Sequence, residues 1–437
     1  MASKRKKNAP NSANDAAILA TDPDALLQAA LASGGDGTQT GRYIVSYREG
    51  AVDDGLKSLK TQGLRVCDAR DFATQAASLQ DAGDADAMVL PEIGVAVVTG
   101  AAGKSQGMGV TTELEADSPI EAIEPDYFMF ASGDANEYLR GFASAVNAIA
   151  REFGPGVAPG LEEEDVEAEV LGATWGLVRC RVSPSLRNGL GIKVAVLDTG
   201  MDLGHPDFAN RVITSKTFVG QPVSDLHGHG THCTGTALGP KAPPGSTPRY
   251  GIAWGSRIFT GKVLTNTGSG TMAGVLAGMN WAIASRCEVI SMSLGAQIPV
   301  QVAYTNSGAA ALRNGCLIVA AAGNAASSTG APANSPTIMS VAALDKTLVP
   351  SNFSNFGKVE IAAPGRDVFS SWKRPARYNT ISGTSMATPH VAGCAALWAQ
   401  TNATLRGMNL WRRLQATARR LPFPASKVGA GLVQAPA

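Results

Sequence analysis

The strongest constraint on the fold lies in the second half of the chain, where short, almost wholly apolar runs alternate with longer helical stretches. Residues 193–197, 257–264, 289–293, 317–321 and 338–343 are the candidate strands; residues 229–238, 271–285, 301–314 and 384–401 are the candidate helices. A strand with one face in water alternates apolar and polar side chains. These strands do not, so both faces of their sheet must be covered, and helices between consecutive strands make that sheet parallel. The expected fold class is therefore α/β. No internal repeat or low-complexity tract suggests another architecture.

The first half reads differently. Residues 1–40 are polar and rich in small side chains and are expected to be disordered, apart from a short helix around 24–32. Strand patterns follow at 42–47, 93–98 and 127–130, the last led into by residues 120–125, with a short helix over 52–62. Residues 41–131 thus predict a small α+β module, with helices on one face of an antiparallel sheet. Residues 132–170 read as a helical and acidic connector. In it Asp134 and Glu137 form a capping box, Leu139, Phe142, Val146, Ile149 and Phe153 recur at helical spacing, and Glu162-Glu163-Glu164-Asp165 closes the segment. The remaining unit is 171–437.

Composition excludes several function classes. A hydrophobic fraction of 44% and a charged fraction of 17% suit a large core. A net charge of +1 makes no case for nucleic acid or an anionic membrane as a partner. The basic run Lys4-Arg5-Lys6-Lys7 reads as a solvated terminus, and the apolar run Ala16-Ala17-Ile18-Leu19-Ala20 after it is broken at once by Thr21-Asp22-Pro23-Asp24. That is too short for a secretory signal, and no stretch approaches the length of a membrane span. Six cysteines without a CxxC read as buried, reduced thiols. Together these features set the expectation of a soluble, intracellular protein.

Four segments carry residue types suited to catalysis. Asp198 ends an apolar strand and precedes Thr199-Gly200; it either caps the next turn or stands in the crevice beyond the sheet. His227, His229 and His232 raise zinc as an alternative, but their spacing spreads them around a helix and glycines separate them. The other reading is a general base at the start of a helix. Asn324, after the buried run 317–323, either stabilises a turn or donates to an oxyanion. Ser385 follows Thr384, a good N-cap, so it is either part of a helix start or a nucleophile among unpaired amides.

Taken together, Asp198-Thr199-Gly200, His229-Gly230-Thr231-His232, Ala322-Gly323-Asn324 and Gly383-Thr384-Ser385-Met386-Ala387 resemble the signature motifs of the subtilisin-like serine proteases, in that family's order. The resemblance covers residues 170–437, and His232-Cys233 is closer to the proteinase K and thermitase side of the family. More loosely, residues 41–131 resemble the inhibitory propeptide of these enzymes, through Tyr43-Ile44-Val45 and Ile120-Glu121-Ala122-Ile123-Glu124-Pro125-Asp126.

The resemblance implies a three-layer fold and a triad of Asp198, His229 and Ser385, with an oxyanion hole formed by Asn324 and the Ser385 amide. It implies that Gly268, Ser269 and Gly270 pair with substrate backbone. Ser293, Leu294 and Gly295 would wall the S1 pocket, which Ala321, Ala322, Gly323, Ala325 and Gly330 would complete. The implied protein is an autoprocessed zymogen and monomer acting on proteins or peptides, with its own propeptide as inhibitor and no cofactor needed for catalysis. Structural calcium is implied near Pro336, Ile338 and Glu360. At a second family position Asp207 is present, but its partner loop is replaced by residues 239–244. Cys233 either confers sensitivity to thiol reagents or simply packs. The rivals are a catalytically silent scaffold and a sedolisin-like acid peptidase; an intact triad with a histidine base disfavours both.

Overall fold

The computed structural model describes residues 19–32, 38–105, 118–131 and 172–437. The connector read over 132–170, with its capping box, apolar stripe and acidic run, lies outside the described residues, as does the Lys4–Lys7 cluster. The short helix expected around residues 24–32 is α1 (Pro23–Ala32), whereas a strand begins at Gln39, inside the stretch expected to be disordered. Asp22 begins α1 by accepting the Asp24 amide at 2.9 Å.

The N-terminal module runs β1 (Gln39–Tyr47), α2 (Val52–Thr61), β2 (Val66–Asp68), β3 (Ala87–Leu90), β4 (Val95–Val98), α3 (Gly100–Ser105) and β5 (Ile120–Phe130). Its strands lie in the order β2-β3-β4-β1-β5, antiparallel except for the β2–β3 pair. Side chains alternate between the two faces. Val45, Val89, Ala96 and Val98 pack under α2 and α3, while Ile44, Met88, Leu90, Val95 and Val97 join the core of the following domain. The helices therefore cover one face, as expected. The stretch 120–130 is one continuous strand, because at Pro125 β5 pairs with β1 alone and no amide is missed on its other edge.

The larger domain runs α4 (Trp175–Arg179), β6 (Lys193–Asp198), β7 (Ile213–Thr217), α5 (His229–Leu238), β8 (Arg257–Lys262), β9 (Ser269–Thr271), α6 (Met272–Ala284), β10 (Val289–Met292), α7 (Val302–Arg313), β11 (Leu317–Ala321), β12 (Met339–Leu344), β13 (Ile361–Pro364), β14 (Val368–Ser371), β15 (Tyr378–Ile381), α8 (Thr384–Thr401), α9 (Gly407–Thr417) and α10 (Ala425–Val428). Seven strands form a sheet in the order β13-β12-β11-β10-β6-β8-β7, and every neighbouring pair is parallel. Along β6, Val194 and Val196 enter a core shared with α8, whereas Ala195 and Leu197 enter the core shared with α6 and α7. Both faces are thus buried, which explains the unbroken apolar character of the strands.

This sheet also fixes where a site can form. From β6 the chain builds β7 and β8 on one side, and β10 to β13 on the other. The order reverses at β6, and the crevice of such a sheet opens beyond the carboxyl ends of the strands at that switch. Asp198 is the last residue of β6.

Candidate active site

Three element ends meet in this crevice. Asp198 closes β6, His229 opens α5, and Ser385 is the second residue of α8. His229 Nδ1 lies 2.7 Å from Asp198 Oδ1, and both side chains are almost wholly buried. A carboxylate against Nδ1 holds the proton on that nitrogen, leaving Nε2 as the basic one. Burial works against the imidazolium, yet Asp198 outweighs it and holds the His229 pKa well above the ordinary histidine value. Cys233, one turn into α5, has its sulfur 3.9 Å from His229 Nδ1 and 3.5 Å from the Ser385 carbonyl, so the starts of α5 and α8 pack together there.

The helix start differs in one detail from the sequence expectation. Gly383, not Thr384, is the cap of α8. Its φ of 158° is extended, and Thr384 is the first helical residue. The Thr384 hydroxyl is used sideways instead, accepting the Gly323 amide at 3.1 Å and donating to Asn324 Oδ1 at 2.8 Å. Asn324 Oδ1 also accepts the Thr384 amide at 2.8 Å. Its oxygen being committed, the group Asn324 can offer a developing oxyanion is the Nδ2 donor. The Ser385 amide lies in the first turn, where helical geometry provides no partner.

Asp225 is a site residue that sequence reasoning passed over. Buried between β7 and α5, it accepts from the Thr199 hydroxyl at 3.0 Å, the His227 and Gly228 amides at 3.0 and 2.8 Å, and the Thr231 amide and hydroxyl at 2.8 and 2.7 Å. It thereby ties the turn after Asp198 to the start of the helix that carries His229. A carboxylate four residues ahead of a helix-opening histidine was the available signal. Lys262, at the end of β8, donates to the Thr199 carbonyl and to Asn266 Oδ1; burial pulls its pKa down to about 8 against the nearby carboxylates. The zinc alternative fails on placement: His232 Nε2 meets the Val368 carbonyl at 2.9 Å, and burial drives its pKa down to about 3.

The cleft holds the chain's own β5. Phe128, Met129 and Phe130 pair antiparallel with Thr271, Gly270 and Ser269. Phe130 exchanges both backbone hydrogen bonds with Gly295 at 3.0 Å, and the Ala131 amide donates to Gly268 at 3.0 Å. Ser385 Oγ donates to the Ala131 carbonyl at 3.1 Å. The predicted backbone-pairing residues Gly268, Ser269 and Gly270 are thus all engaged, and Gly295, expected in the pocket wall, pairs with backbone as well. Leu294, Gly295, Ala321, Ala322, Gly323 and Gly330 line one pocket beside Ser385. Ser293 acts on the nucleophile's own peptide, its hydroxyl donating to the Ser385 carbonyl at 2.7 Å. Ala325 is a correction: it is exposed and turned aside, its amide tied to Asn355 Oδ1 at 2.9 Å, and Ala296 and Ala331 complete the pocket instead.

Residues 189–431, more than half of the chain, match the subtilase family, Peptidase S8. The chain belongs to this family. A cuticle-degrading protease of Metarhizium anisopliae is 38% identical over 269 residues, which are 57% of this chain and 66% of that protein. The alkaline serine protease ver112 of Corniculantispora psalliotae is 42% identical over 246 residues, covering 52% and 60% respectively. The chain therefore spans somewhat under two thirds of these relatives' length. Among solved structures, a cold adapted subtilisin-like serine proteinase superposes with a TM-score of 0.53 at 33% identity, covering 61% of this chain and 99% of that one.

The calcium positions expected of a subtilase do not fit a metal in this member. The Lys358 ammonium donates to Glu360 Oε2 at 2.7 Å, to the Ala333 carbonyl at 2.8 Å and to the Ile338 carbonyl. It thus stands on the carbonyl and carboxylate assigned to calcium near Pro336, Ile338 and Glu360. Asp207 is likewise committed, accepting from the Tyr250 and Tyr378 hydroxyls. In the inactive Ser385→Ala chain, a chelator should leave the melting temperature unchanged; a fall on chelation would overturn the correction. Lys358→Met, which strands Glu360, should cost about 1–3 kcal/mol in denaturant unfolding.

The Asp198–His229 pair generates a pH prediction. Only neutral imidazole can take a proton, so activity is lost as pH falls through the His229 pKa. Asp198→Asn removes the charge that raises this pKa, so the acid limb should move to lower pH while kcat falls about 10⁴-fold. An unmoved limb in the pH profile of the variant would show that Asp198 does not set it.

Proposed function

We propose that this chain is a serine endopeptidase made as an inhibited, self-processing precursor. The observation that carries the reading is the Asp198–His229 pair set beside Ser385 through Cys233, whose sulfur touches both His229 Nδ1 and the Ser385 carbonyl, while Ser385 Oγ faces the backbone of the chain's own β5. In this mechanism His229 Nε2 takes the Ser385 proton as Oγ attacks the scissile carbonyl, and Asp198 stabilises the imidazolium. The tetrahedral oxyanion is held by Asn324 Nδ2 and the Ser385 amide. His229 then gives its proton to the leaving amine, and water resolves the acyl-enzyme by the same relay.

The register supports a particular site of self-cleavage. Phe130 pairs antiparallel with Gly295, and the next carbonyl along the strand, that of Ala131, accepts from Ser385 Oγ at 3.1 Å. Self-cleavage is then expected near Ala131. The wild-type product should begin just after Ala131 by N-terminal sequencing, while Ser385→Ala should remain uncut, with kcat on peptides down about 10⁶-fold. Processing by Ser385→Ala, or labelling of this variant by a fluorophosphonate probe, would overturn the nucleophile.

The pocket beside Ser385 is lined by small, uncharged residues, including Ala296, Ala321, Ala322 and Gly330. This supports broad cleavage after large apolar or aromatic P1 residues. A digest of a peptide library should show that preference, and a strict requirement for Arg or Lys would refute it. Cleft, nucleophile and inhibiting strand come from one chain, which favours a monomer acting on protein or peptide substrates. No helix among the described residues is long and apolar enough to cross a membrane; that bears on spanning alone, not on the intracellular location expected from the sequence.

A further inference from the structure

Inhibition by β5 does not by itself require the segment ahead of the module, yet that segment is ordered against the cleft. Asp24 Oδ1 accepts from three hydroxyls on the cleft rim: Thr265 at 2.9 Å, Thr267 at 2.7 Å, and Ser269. Gln221 Nε2 approaches the other oxygen at 3.4 Å. Further along α1, Leu26 and Leu27 bury themselves against Phe128 and Phe130, the two β5 side chains turned away from the enzyme core. Just upstream, the Leu19 carbonyl accepts from Arg42 Nη1 at 3.0 Å. Arg42 Nε in turn holds Asp126 at 2.9 Å, and Asp126 Oδ1 accepts the Ala273 amide at the start of α6 at 2.8 Å. All of these groups are described residues, and Arg42 and Asp126 are fully buried.

We propose that residues 19–32 are a strap that keeps the cut pro-strand seated and so delays its release. The proposal rests on the reading of residues 41–131 as the inhibitor. Once the chain is cut near Ala131, β5 is held to the enzyme by a few backbone pairs on β9, Gly268 and Gly295. Those pairs alone leave Phe128 and Phe130 facing water. The strap covers both rings and is fastened on the enzyme side by a carboxylate accepting from three hydroxyls, which are stronger bonds than neutral ones. It therefore adds contacts that the strand must shed together with its own.

The test follows the full-length chain as it refolds from denaturant, recording the cut on a gel and activity on a chromogenic peptide in the same samples. The wild type should cut first and become active after an interval. Asp24→Ala should cut at the same rate but shorten the interval about tenfold. Asp24→Asn, which keeps one acceptor oxygen, should fall between. The enzyme released is the same molecule in every case, because Asp24 leaves with the pro-segment, so any difference lies in release. If Asp24→Ala fails to self-cleave, Thr265→Val with Thr267→Val removes two of the donors from the enzyme side and carries the same expectation. An interval unchanged by these variants overturns the strap and leaves the inhibited precursor standing. Wild-type activity that rises with the cut itself likewise overturns the strap, whereas full activity before any cut overturns the precursor reading and the strap with it.

Discussion

The pairing of residues 128–131 with the cleft rim ties the two parts of this chain together, and much of the structure depends on it. β9 is only three residues long and has little to pair with apart from the incoming strand. The strand brings more than backbone hydrogen bonds. Glu124 accepts the Val302 and Ala303 amides at 2.7 and 3.0 Å, capping α7, whose own cap residue Gln301 makes no side-chain cap bond. Asp126 does the same for α6. Carboxylates at helix starts satisfy unpaired amides and oppose the positive end of the dipole. One strand therefore lies in the crevice and caps two neighbouring helices.

Within the enzyme, geometry is set by buried acceptors more than by the reacting groups. Asp225 collects five donors from the turn after β6 and the first turn of α5. A buried carboxylate is tolerable only when so satisfied, and satisfying it fixes the loop on which His229 rides. Asn324 and Thr384 play the same part across the crevice, with each orienting the other. The two positions where calcium was expected follow the same rule, since Lys358 and the hydroxyls of Tyr250 and Tyr378 occupy Glu360 and Asp207. A carboxylate that already holds strong donors has little left to offer a divalent ion, which needs several oxygens at once.

How much could be read without coordinates varied with the kind of signal. The helix 384–401 and the strand 317–321 were legible to the residue, because an apolar run of definite length can be buried in only a few ways. β7 and β13 were missed. β7 is a half-exposed edge strand whose Ile213-Thr214-Ser215-Lys216-Thr217 carries little apolar signal, and the short β13 reads like the loops around it. The helix near 24–32 was visible as a pattern, but its partners were not. Leu26 and Leu27 are apolar at neighbouring positions, and nothing in that pattern says that the rings of Phe128 and Phe130, a hundred residues on, receive them.

What the sequence alone determined was the chemistry: which residue types stand at which strand and helix ends, in which order, and hence the family. Element type and end positions are local properties, written in periodicity, glycines and caps. What only the tertiary structure decided was occupancy. It placed Ala131 against Ser385, Asp24 on the rim hydroxyls, Lys358 on Glu360 and Ala325 outside the pocket. Each of these depends on the distance between groups far apart in the chain, and a one-dimensional pattern does not encode that distance. It emerges only when the sheet, its two helical layers and the docked module pack against one another.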